Sequence, residues 1–208
     1  ELTAKEILAR YPQEELTRIF REYGEERYAG RIAREIVRNR DANPLTTSDE
    51  LNALVSSVVP QAHRGPGNPA KRVFQALRIE VNGELDALRR ALPQVAEHLR
   101  VGGRLVVASY HSLEDRTVKS FMRQGTTVDV PAGLPAIPKD AEPYFASLTG
   151  GAIKADADQI AYNPRSSSVR PRAVWLIRPL PLSRQRRWTT DEDADGHRSA
   201  SPGWTPAR

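Results

Sequence analysis

The segment Gly102-Gly-Arg-Leu-Val-Val-Ala-Ser-Tyr-His-Ser-Leu-Glu-Asp-Arg116 contains, in immediate succession, a helix stop, a strand and a helix start. Its Gly-Gly pair ends the preceding helical pattern, and Arg104–Tyr110 is a short apolar run typical of a buried strand. Ser112 can cap the next helix, with Asp115 completing a partial capping-box pattern, and apolar spacing extends that helix to about Arg123. Helix, strand, loop and helix in this order predict one repeat of an α/β layer with a parallel sheet.

Upstream of this segment, the sequence predicts a long amphipathic helix. Asn68 and Pro69 are suited to its N-cap and its first helical position. The pattern predicts either one continuous helix or two helices, broken near Gly83 and again near Pro93. The preceding residues 61–68 combine Gly and Pro with no large apolar side chain, which is typical of a linker or a loop.

The first part of the chain predicts an all-helical module. Thr3 and Glu6 have the spacing of a capping box at the start of the first helix. A second helical pattern covers about Glu25–Arg40. Another helix is predicted after Thr47 or Ser48, because either hydroxyl can cap it.

The last part of the chain predicts little regular structure. Residues 124–150 are rich in Pro and Gly and predict a long loop, whereas Arg172–Ile177 predicts a second strand. Beyond Pro179 the composition predicts a disordered tail. Two strands are too few for a doubly wound sheet, which needs several parallel strands covered on both faces. We therefore expect the sheet to be completed by something absent from this chain.

Composition excludes several kinds of site. The chain has no cysteine, so disulfides and thiolate-ligated zinc are excluded, and a reducing cytoplasm is compatible. Its four histidines lack metal-ligand spacing, so no metal site is expected. No apolar run approaches the roughly 18 residues needed to span a bilayer, and no signal peptide is expected. The formal net charge of +5 favours a polyanionic partner.

Three residues at the end of the predicted strand are candidate catalytic residues: His111, Ser112 and Asp115. In open α/β sheets, ligands bind outside the carboxyl ends of the strands. His111 can accept a proton or a hydrogen bond near neutral pH. The alternative is structural, since Ser112 and Asp115 can simply cap the helix, a role that does not require His111.

Four arginines recur at steps of four, three and four and are predicted to share one helical face: Arg27, Arg31, Arg34 and Arg38. Guanidinium groups aligned in this way suit the phosphate backbone of RNA. The alternative is a solvated face in which the arginines pair with nearby glutamates, namely Glu22, Glu26 and Glu35.

Two further basic segments are candidates for RNA contact. Lys71, Arg72 and Arg78 lie on the predicted long helix with no acidic residue between them, which favours RNA contact over a solvated face. Asn163–Arg170, which includes Arg165, combines hydroxyls with arginines that suit phosphate. A structural role in closing the sheet is the alternative for this second segment.

Together these segments resemble the bacterial 16S ribosomal-RNA cytosine-N4 methyltransferase family, over about residues 2–178. The resemblance rests on motifs in the family's order: Tyr23–Arg27, Arg31–Arg34, Pro69–Ile79 with Asn82 and Glu84-Leu85, Gly102–Leu105, Ser109–Arg116, Val118-Lys119 and Asn163–Ser166. The chain departs from the family at Asn68, where His more often precedes Pro-Ala.

The resemblance implies an rRNA methyltransferase that uses S-adenosyl-L-methionine, with a class I, Rossmann-like α/β fold interrupted by an all-helical insertion. Residues 1–65 are expected to form most of that insertion domain. Residues 66–179 are expected to be the second half of the methyltransferase domain, followed by a tail over 180–208. The family's cofactor-binding residues are expected upstream of Glu1 and none in this chain, so this chain alone is expected to be inactive.

The resemblance also implies a cytoplasmic protein whose partner is 16S rRNA in the small ribosomal subunit. It adds Lys119 to the predicted RNA-binding residues. It is also compatible with a homodimer. In the implied reaction, His111 lines the pocket while Ser112 and Asp115 order the loop around it. Two other hypotheses stay open: a non-catalytic RNA-binding module, and an α/β enzyme with a different nucleotide cofactor, such as a dehydrogenase.

Overall fold

A computed structural model of the protein describes residues 2–64, 67–128 and 141–181. The chain divides between Ala87 and Leu88 into two compact units. The sequence predicted a boundary near residue 65. The difference arises from the helix over Lys71–Asn82, whose apolar residues belong to the core of the first unit.

The first unit is all-helical. Its helices are α1 (Ala4–Arg10), α2 (Gln13–Glu22), α3 (Ala29–Asn39), α4 (Ser48–Val58) and α5 (Lys71–Asn82). A further helix, α6 (Glu84–Glu97), follows directly and continues into the second unit. A 3₁₀ turn, Gln61–His63, lies between α4 and α5.

Local hydrogen bonds explain where two of these helices begin. The predicted capping box of Thr3 and Glu6 is confirmed, and Thr47 caps α4 in the same way with Glu50. Hydrogen bonds from Thr3 lower the pKa of Glu6, and backbone N–H groups of Thr46 and Thr47 lower that of Glu50. Both helix starts are therefore fixed by residues three apart in sequence.

Two helix starts lie later than the sequence predicted. α3 begins at Ala29 rather than near Glu25, because Glu25 has a positive φ of 50° that a helix cannot contain. α5 begins at Lys71 rather than Pro69, because Asn68 accepts a hydrogen bond from the N–H of Ala70 in a turn before the helix.

The core of the first unit is formed by one buried stripe from each helix. Phe20 of α2 is fully buried, and Gly24 allows the end of α2 to approach the backbone of α5, since a Cβ there would lie 2.6 Å from the carbonyl oxygen of Arg72. The other fully buried residues of this core are Ile7, Leu16, Ile19, Ala29, Ile32, Ala33, Val55, Ala70, Val73 and Ala76.

The second unit combines a small sheet with helices. After α6 come β1 (Arg104–Ser109), α7 (Ser112–Thr126), β2 (Phe145–Ser147), α8 (Ala157–Tyr162) and β3 (Arg170–Leu176). The sheet order is β1-β3-β2, and both pairs are antiparallel. Arg104 lies opposite Trp175 and Ser109 opposite Arg170. The mixed helix and sheet content agrees with the α/β prediction.

The prediction of a parallel sheet is wrong for the strands that the structure describes. β1 and β2 both run antiparallel to β3, so they point in the same direction, as expected for two strands joined through a crossover helix. They are not neighbours, however, because β3 returns between them. Every ladder in the described sheet is therefore antiparallel.

Two other local predictions are corrected. The predicted loop over 124–150 includes the end of α7 and the three-residue β2, which is too short to produce a periodic signal. The break predicted at Pro93 is absent, since Pro93 lies within α6, whereas the break at Gly83 is confirmed by its positive φ of 58°. The predicted tail falls outside the described residues from position 182 onward.

A second core lies between the sheet and helices α6 and α7. Tyr144 and Phe145 are each 1% exposed, and their rings lie against Gly125 of α7. The other members are Leu92, Ala96, Leu105, Val118, Phe121, Met122, Val174 and Leu176. Within the described residues, none of the helices is both long and apolar enough to cross a membrane.

Candidate strand-end site and nucleic-acid interface

His111 is the N-cap of α7. Its Nδ1 accepts a hydrogen bond from the backbone N–H of Glu114 at 3.3 Å, and the Glu114 carboxylate accepts from the N–H groups of His111 and Tyr110. The predicted cap, Ser112 with Asp115, is wrong by one residue: His111 has the extended backbone of an N-cap, whereas Ser112 already lies in the helix. Capping therefore does involve the histidine.

This geometry limits the chemistry of the imidazole. A nitrogen that accepts a hydrogen bond carries no proton, which assigns the proton of the neutral ring to Nε2. Nε2 lies 3.4 Å from a carboxylate oxygen of Glu114, but among the described residues it is buried without a properly aligned hydrogen bond. The ring can thus donate from Nε2 while Nδ1 orders the loop.

Asp115 joins α7 to β3. Its two carboxylate oxygens accept from Nε and Nη2 of Arg172 at 2.7 and 3.0 Å. Both side chains are partly buried. The hydrogen bond from Arg172 lowers the pKa of Asp115, and the nearby charges of Lys119 and Arg170 add to this effect. Asp115 therefore has a structural partner 57 residues away in the sequence.

Asp115→Asn is expected to lower the free energy of unfolding by about 1–2 kcal/mol at pH 7, because one charge-assisted hydrogen bond is lost. Since folding lowers the pKa of Asp115, this stabilisation is complete above the ordinary Asp pKa of about 3.9 and is lost as the pH falls through the folded value. Urea unfolding at several pH values measures both effects.

A suitable control for this substitution is Glu97→Gln, which neutralises an exposed carboxylate of α6 without an ion pair in the described part of the chain. It should change stability by less than about 0.5 kcal/mol. If the two variants lose the same free energy of unfolding, the hydrogen bonds between Asp115 and Arg172 make no specific contribution to stability.

The segment over 163–170 is organised mainly by its own backbone. The hydroxyls of Ser167 and Ser168 donate to the carbonyl oxygens three residues earlier, and Arg170 donates to those of Ser167 and Val169. These bonds order the segment internally, and neither RNA contact nor closure of the sheet is decided by them. Arg165 itself is exposed, with no side-chain partner among the described residues.

The arginines of α3 form an exposed basic face in the first unit. Arg31, Arg34 and Arg38 are exposed on the side of α3 opposite its buried residues. Arg27 is also exposed but precedes the helix, so the predicted four-residue helical stripe is corrected to three. We call Arg27, Arg31, Arg34 and Arg38 together the arginine face.

The glutamates proposed as partners of the arginine face are mostly engaged elsewhere. Glu26 is buried and accepts from the N–H of Tyr28, while Glu22 pairs with Arg18. Glu35 approaches Arg38 at 3.9 Å. The three remaining members, Arg27, Arg31 and Arg34, have no carboxylate partner among the residues described.

The basic residues of α5 differ in their contacts. Arg78 makes a two-pronged ion pair with Glu84, so its charge is neutralised locally. Arg72 donates to the carbonyl oxygen of Glu25 at 3.3 Å. Lys71 is exposed, with no partner in the described part of the chain. Lys71 and Arg72 therefore retain a positive charge that a phosphate can use.

Sequence reasoning missed Arg123 and Arg172. Arg123 is exposed one turn after Lys119 on α7, a spacing visible in the sequence. Arg172 belongs to β3 and meets Asp115 only through the fold. Among the described residues no glycine-rich turn joins a strand to a helix, so none is assigned to a nucleotide cofactor.

Comparison with known proteins gives consistent matches. The family model of the MraW methylase family matches residues 1–176. A protein of Bifidobacterium adolescentis called ribosomal RNA small subunit methyltransferase H is 65% identical over 194 residues, which cover 93% of this chain and 56% of that protein. The protein of the same name from Beutenbergia cavernae is 52% identical over 180 residues, covering 86% and 54%. The chain thus spans about half the length of these relatives, and it belongs to the MraW methylase family.

Proposed function

We propose that this chain is the RNA-binding and second catalytic part of an rRNA methyltransferase. The reaction transfers a methyl group from S-adenosyl-L-methionine to the exocyclic N4 of a cytidine in 16S rRNA of the small ribosomal subunit. The observation that carries the proposal is membership of a methylase family whose similar relatives are called small-subunit rRNA methyltransferases. The arginine face, with three arginines that lack a carboxylate partner among the described residues, supports the RNA substrate.

The two units have different parts in this proposal. The first unit corresponds to the helical insertion and binds RNA phosphates through the arginine face, Lys71 and Arg72. The second unit corresponds to one side of a class I methyltransferase sheet. Its strand-end loop, with His111, Ser112 and Asp115, borders the reacting base. Lys119 and Arg165 complete the proposed RNA contacts, and Arg78 joins them only where RNA displaces its ion pair with Glu84.

S-adenosyl-L-methionine, when bound, supplies an electrophilic methyl group, and we assign its binding to residues outside those described. The described chain contributes position and charge. Asp115 and Arg172 hold the start of α7 against β3, and the cap at His111 fixes the loop at the strand end. A loop held in this way orients the target amine, whose attack needs alignment with the departing sulfur.

The geometry of the cap predicts that His111 positions the loop and does not accept a proton from the amine. His111→Ala is expected to lower the free energy of unfolding by about 1 kcal/mol and to reduce methyl transfer, because the cap is lost. His111→Asn is expected to restore both, since asparagine is a good N-cap but no general base. Unfolding is measured on this chain, and methyl transfer on the protein extended upstream of Glu1.

If His111→Asn restores stability but not methyl transfer, the imidazole itself takes part in the reaction and the positioning role is wrong. If His111→Ala leaves both quantities at their wild-type values, neither role stands. The two readouts therefore separate a cap from a catalytic group.

The function itself is tested by incubating the protein with unmethylated small ribosomal subunits and methyl-labelled S-adenosyl-L-methionine. The 208-residue chain and the upstream-extended protein are compared, and the labelled nucleoside is identified after digestion. Label in N4-methylcytidine from the extended protein is the expected result. Label in another nucleoside would overturn the assignment of the target atom.

A second candidate function is a non-catalytic RNA-binding module. The absence of a cofactor turn from the described residues, together with the arginine face, favours it for this chain taken alone. RNA binding with no methyl transfer by the extended protein, on subunits shown to be unmethylated, would select it over the enzyme.

A further inference from the structure

A shallow groove of about 160 Å³ lies within the second unit, between α7 and the turn that follows β2. Lys119 and Arg123 form the α7 side, and Gly150 and Gly151 form the opposite side. Its floor is β3, including Arg172. We call this the α7 groove. It is separate from the strand-end loop, since neither His111 nor Ser112 lines it.

The α7 groove carries uncompensated positive charge. Lys119 and Arg123 are exposed, one helical turn apart, and neither makes an ion pair in the described part of the chain. Among the residues that the structure describes, no carboxylate lines the groove. Arg172 is neutralised by Asp115, which also holds its guanidinium in place. The two remaining cations therefore set the sign of the potential in the groove.

The opposite side offers backbone rather than side-chain contacts. Gly150 has a left-handed φ of 60° and donates its N–H to the hydroxyl of Ser147 at 3.1 Å. At Gly151 a Cβ would meet no atom within 4 Å, and its N–H makes no hydrogen bond among the described residues. An anion in the groove can thus approach this backbone closely.

The lining also indicates which part of a nucleic acid fits. The described lining of the α7 groove contains no aromatic ring, and so offers no platform on which a base could stack. Its polar groups are cations, hydroxyls and glycine backbone, which are groups that contact phosphate oxygens without reading sequence. The chemistry therefore matches a phosphodiester rather than a nucleobase.

We propose that the α7 groove binds the phosphodiester backbone of single-stranded RNA, as a sequence-independent anchor for the strand that enters the strand-end site. The inference rests on the proposed rRNA substrate and deepens it by naming a phosphate subsite. Lys119 and Arg123 neutralise adjacent phosphates, and Gly151 donates its N–H to a phosphate oxygen.

The test compares two double variants with the same change in charge. Lys119→Ala with Arg123→Ala removes the groove cations, whereas Arg100→Ala with Lys154→Ala removes two exposed cations of the same unit outside the groove. Binding of a fluorescent 12-nucleotide single-stranded RNA to the 208-residue chain is titrated at several salt concentrations. The groove variant is expected to bind about tenfold more weakly. Its slope of log K against log salt should be shallower by about 1.4.

Equal affinities and slopes for the groove and control variants would overturn the proposal. A second result would also overturn the proposal: millimolar inorganic phosphate binds in the groove, while RNA affinity does not change when Lys119 and Arg123 are replaced. The groove would then be a site for small phosphates. The methyl-transfer assay is independent of this test. If label is transferred to cytidine while the groove variant binds RNA like wild type, only the groove assignment fails.

Discussion

Replacing Arg27, Arg31 and Arg34 with glutamine together is expected to weaken RNA binding by this chain about a hundredfold at low salt. The three residues are exposed, and none has a carboxylate partner among the described residues. Each phosphate contact with single-stranded RNA contributes about 0.7 to the salt slope, so the slope should become shallower by about 2. Fluorescence titration at a series of salt concentrations measures both quantities.

The matched control is a triple variant of Lys5, Arg10 and Arg21 to glutamine. These residues are exposed on α1 and α2 of the same unit and lie outside the arginine face. Net charge falls equally in the two variants, so any effect of overall charge is shared. If both variants lose the same affinity, RNA binding follows the net charge of the whole chain, which is +5, and the arginine face is not a binding surface.

Arg38 provides an internal comparison within the arginine face. Its guanidinium lies 3.9 Å from Glu35, and 74% of its side chain is exposed. A pair this exposed contributes little to stability, but the nearby carboxylate reduces the positive potential available to a phosphate. Arg38→Gln alone should therefore reduce RNA affinity less than Arg34→Gln alone, by the same titration.

The parts of the fold that sequence predicted well are those set by neighbouring residues. The capping box at Thr3 depends on a glutamate three residues later, and Thr47 was one of the two hydroxyls predicted to cap α4. The break at Gly83 depends on one left-handed residue. The α/β character followed from one strand between two helical patterns. In each case the deciding contact lies within one helical turn, where the distance between two residues follows directly from their separation in the sequence.

The parts that sequence missed depend on distant residues. No residue near Arg104 indicates that its strand partner is Trp175. The order and direction of the strands therefore could not be predicted from the sequence. The pairing of Asp115 with Arg172 joins residues 57 apart. The sequence therefore predicted Asp115 to be part of a helix cap, whereas in the structure its carboxylate connects α7 to β3.

The candidate site shows the same limit. A histidine is an unusual N-cap, so preference alone assigned the cap to Ser112 and left His111 for chemistry. The structure gives Nδ1 to the cap and leaves Nε2 as a donor. For the arginine face the sequence could not decide between glutamate partners and phosphate, because it did not show that Glu26 is buried.

Gly125→Ala is expected to destabilise the second unit by about 2–3 kcal/mol, although alanine is the better helix former by about 1 kcal/mol. Gly125 lies buried in α7, where a Cβ would stand 2.3 Å from Cδ2 of Phe145 and 2.7 Å from Cε2 of Tyr144. Both rings are almost completely buried and cannot move outward without opening the core. Hydrogen exchange of the Leu176 N–H, which donates to Gly103 in the sheet, measures the loss.

Gly30→Ala in α3 is the same chemical change, but we expect it to alter the free energy of unfolding in the opposite direction. The nearest atom to a Cβ at Gly30 is Cγ2 of Thr17 at 3.8 Å, which is an ordinary contact. This variant should leave the first unit unchanged or stabilise it by up to about 1 kcal/mol, as measured by hydrogen exchange of the α3 amides. If Gly125→Ala stabilises its unit as well, Tyr144 and Phe145 do not pack closely against Gly125 of α7, the helix that begins at the strand-end loop. The contrast between the two glycines thus tests the packing on which the candidate site depends.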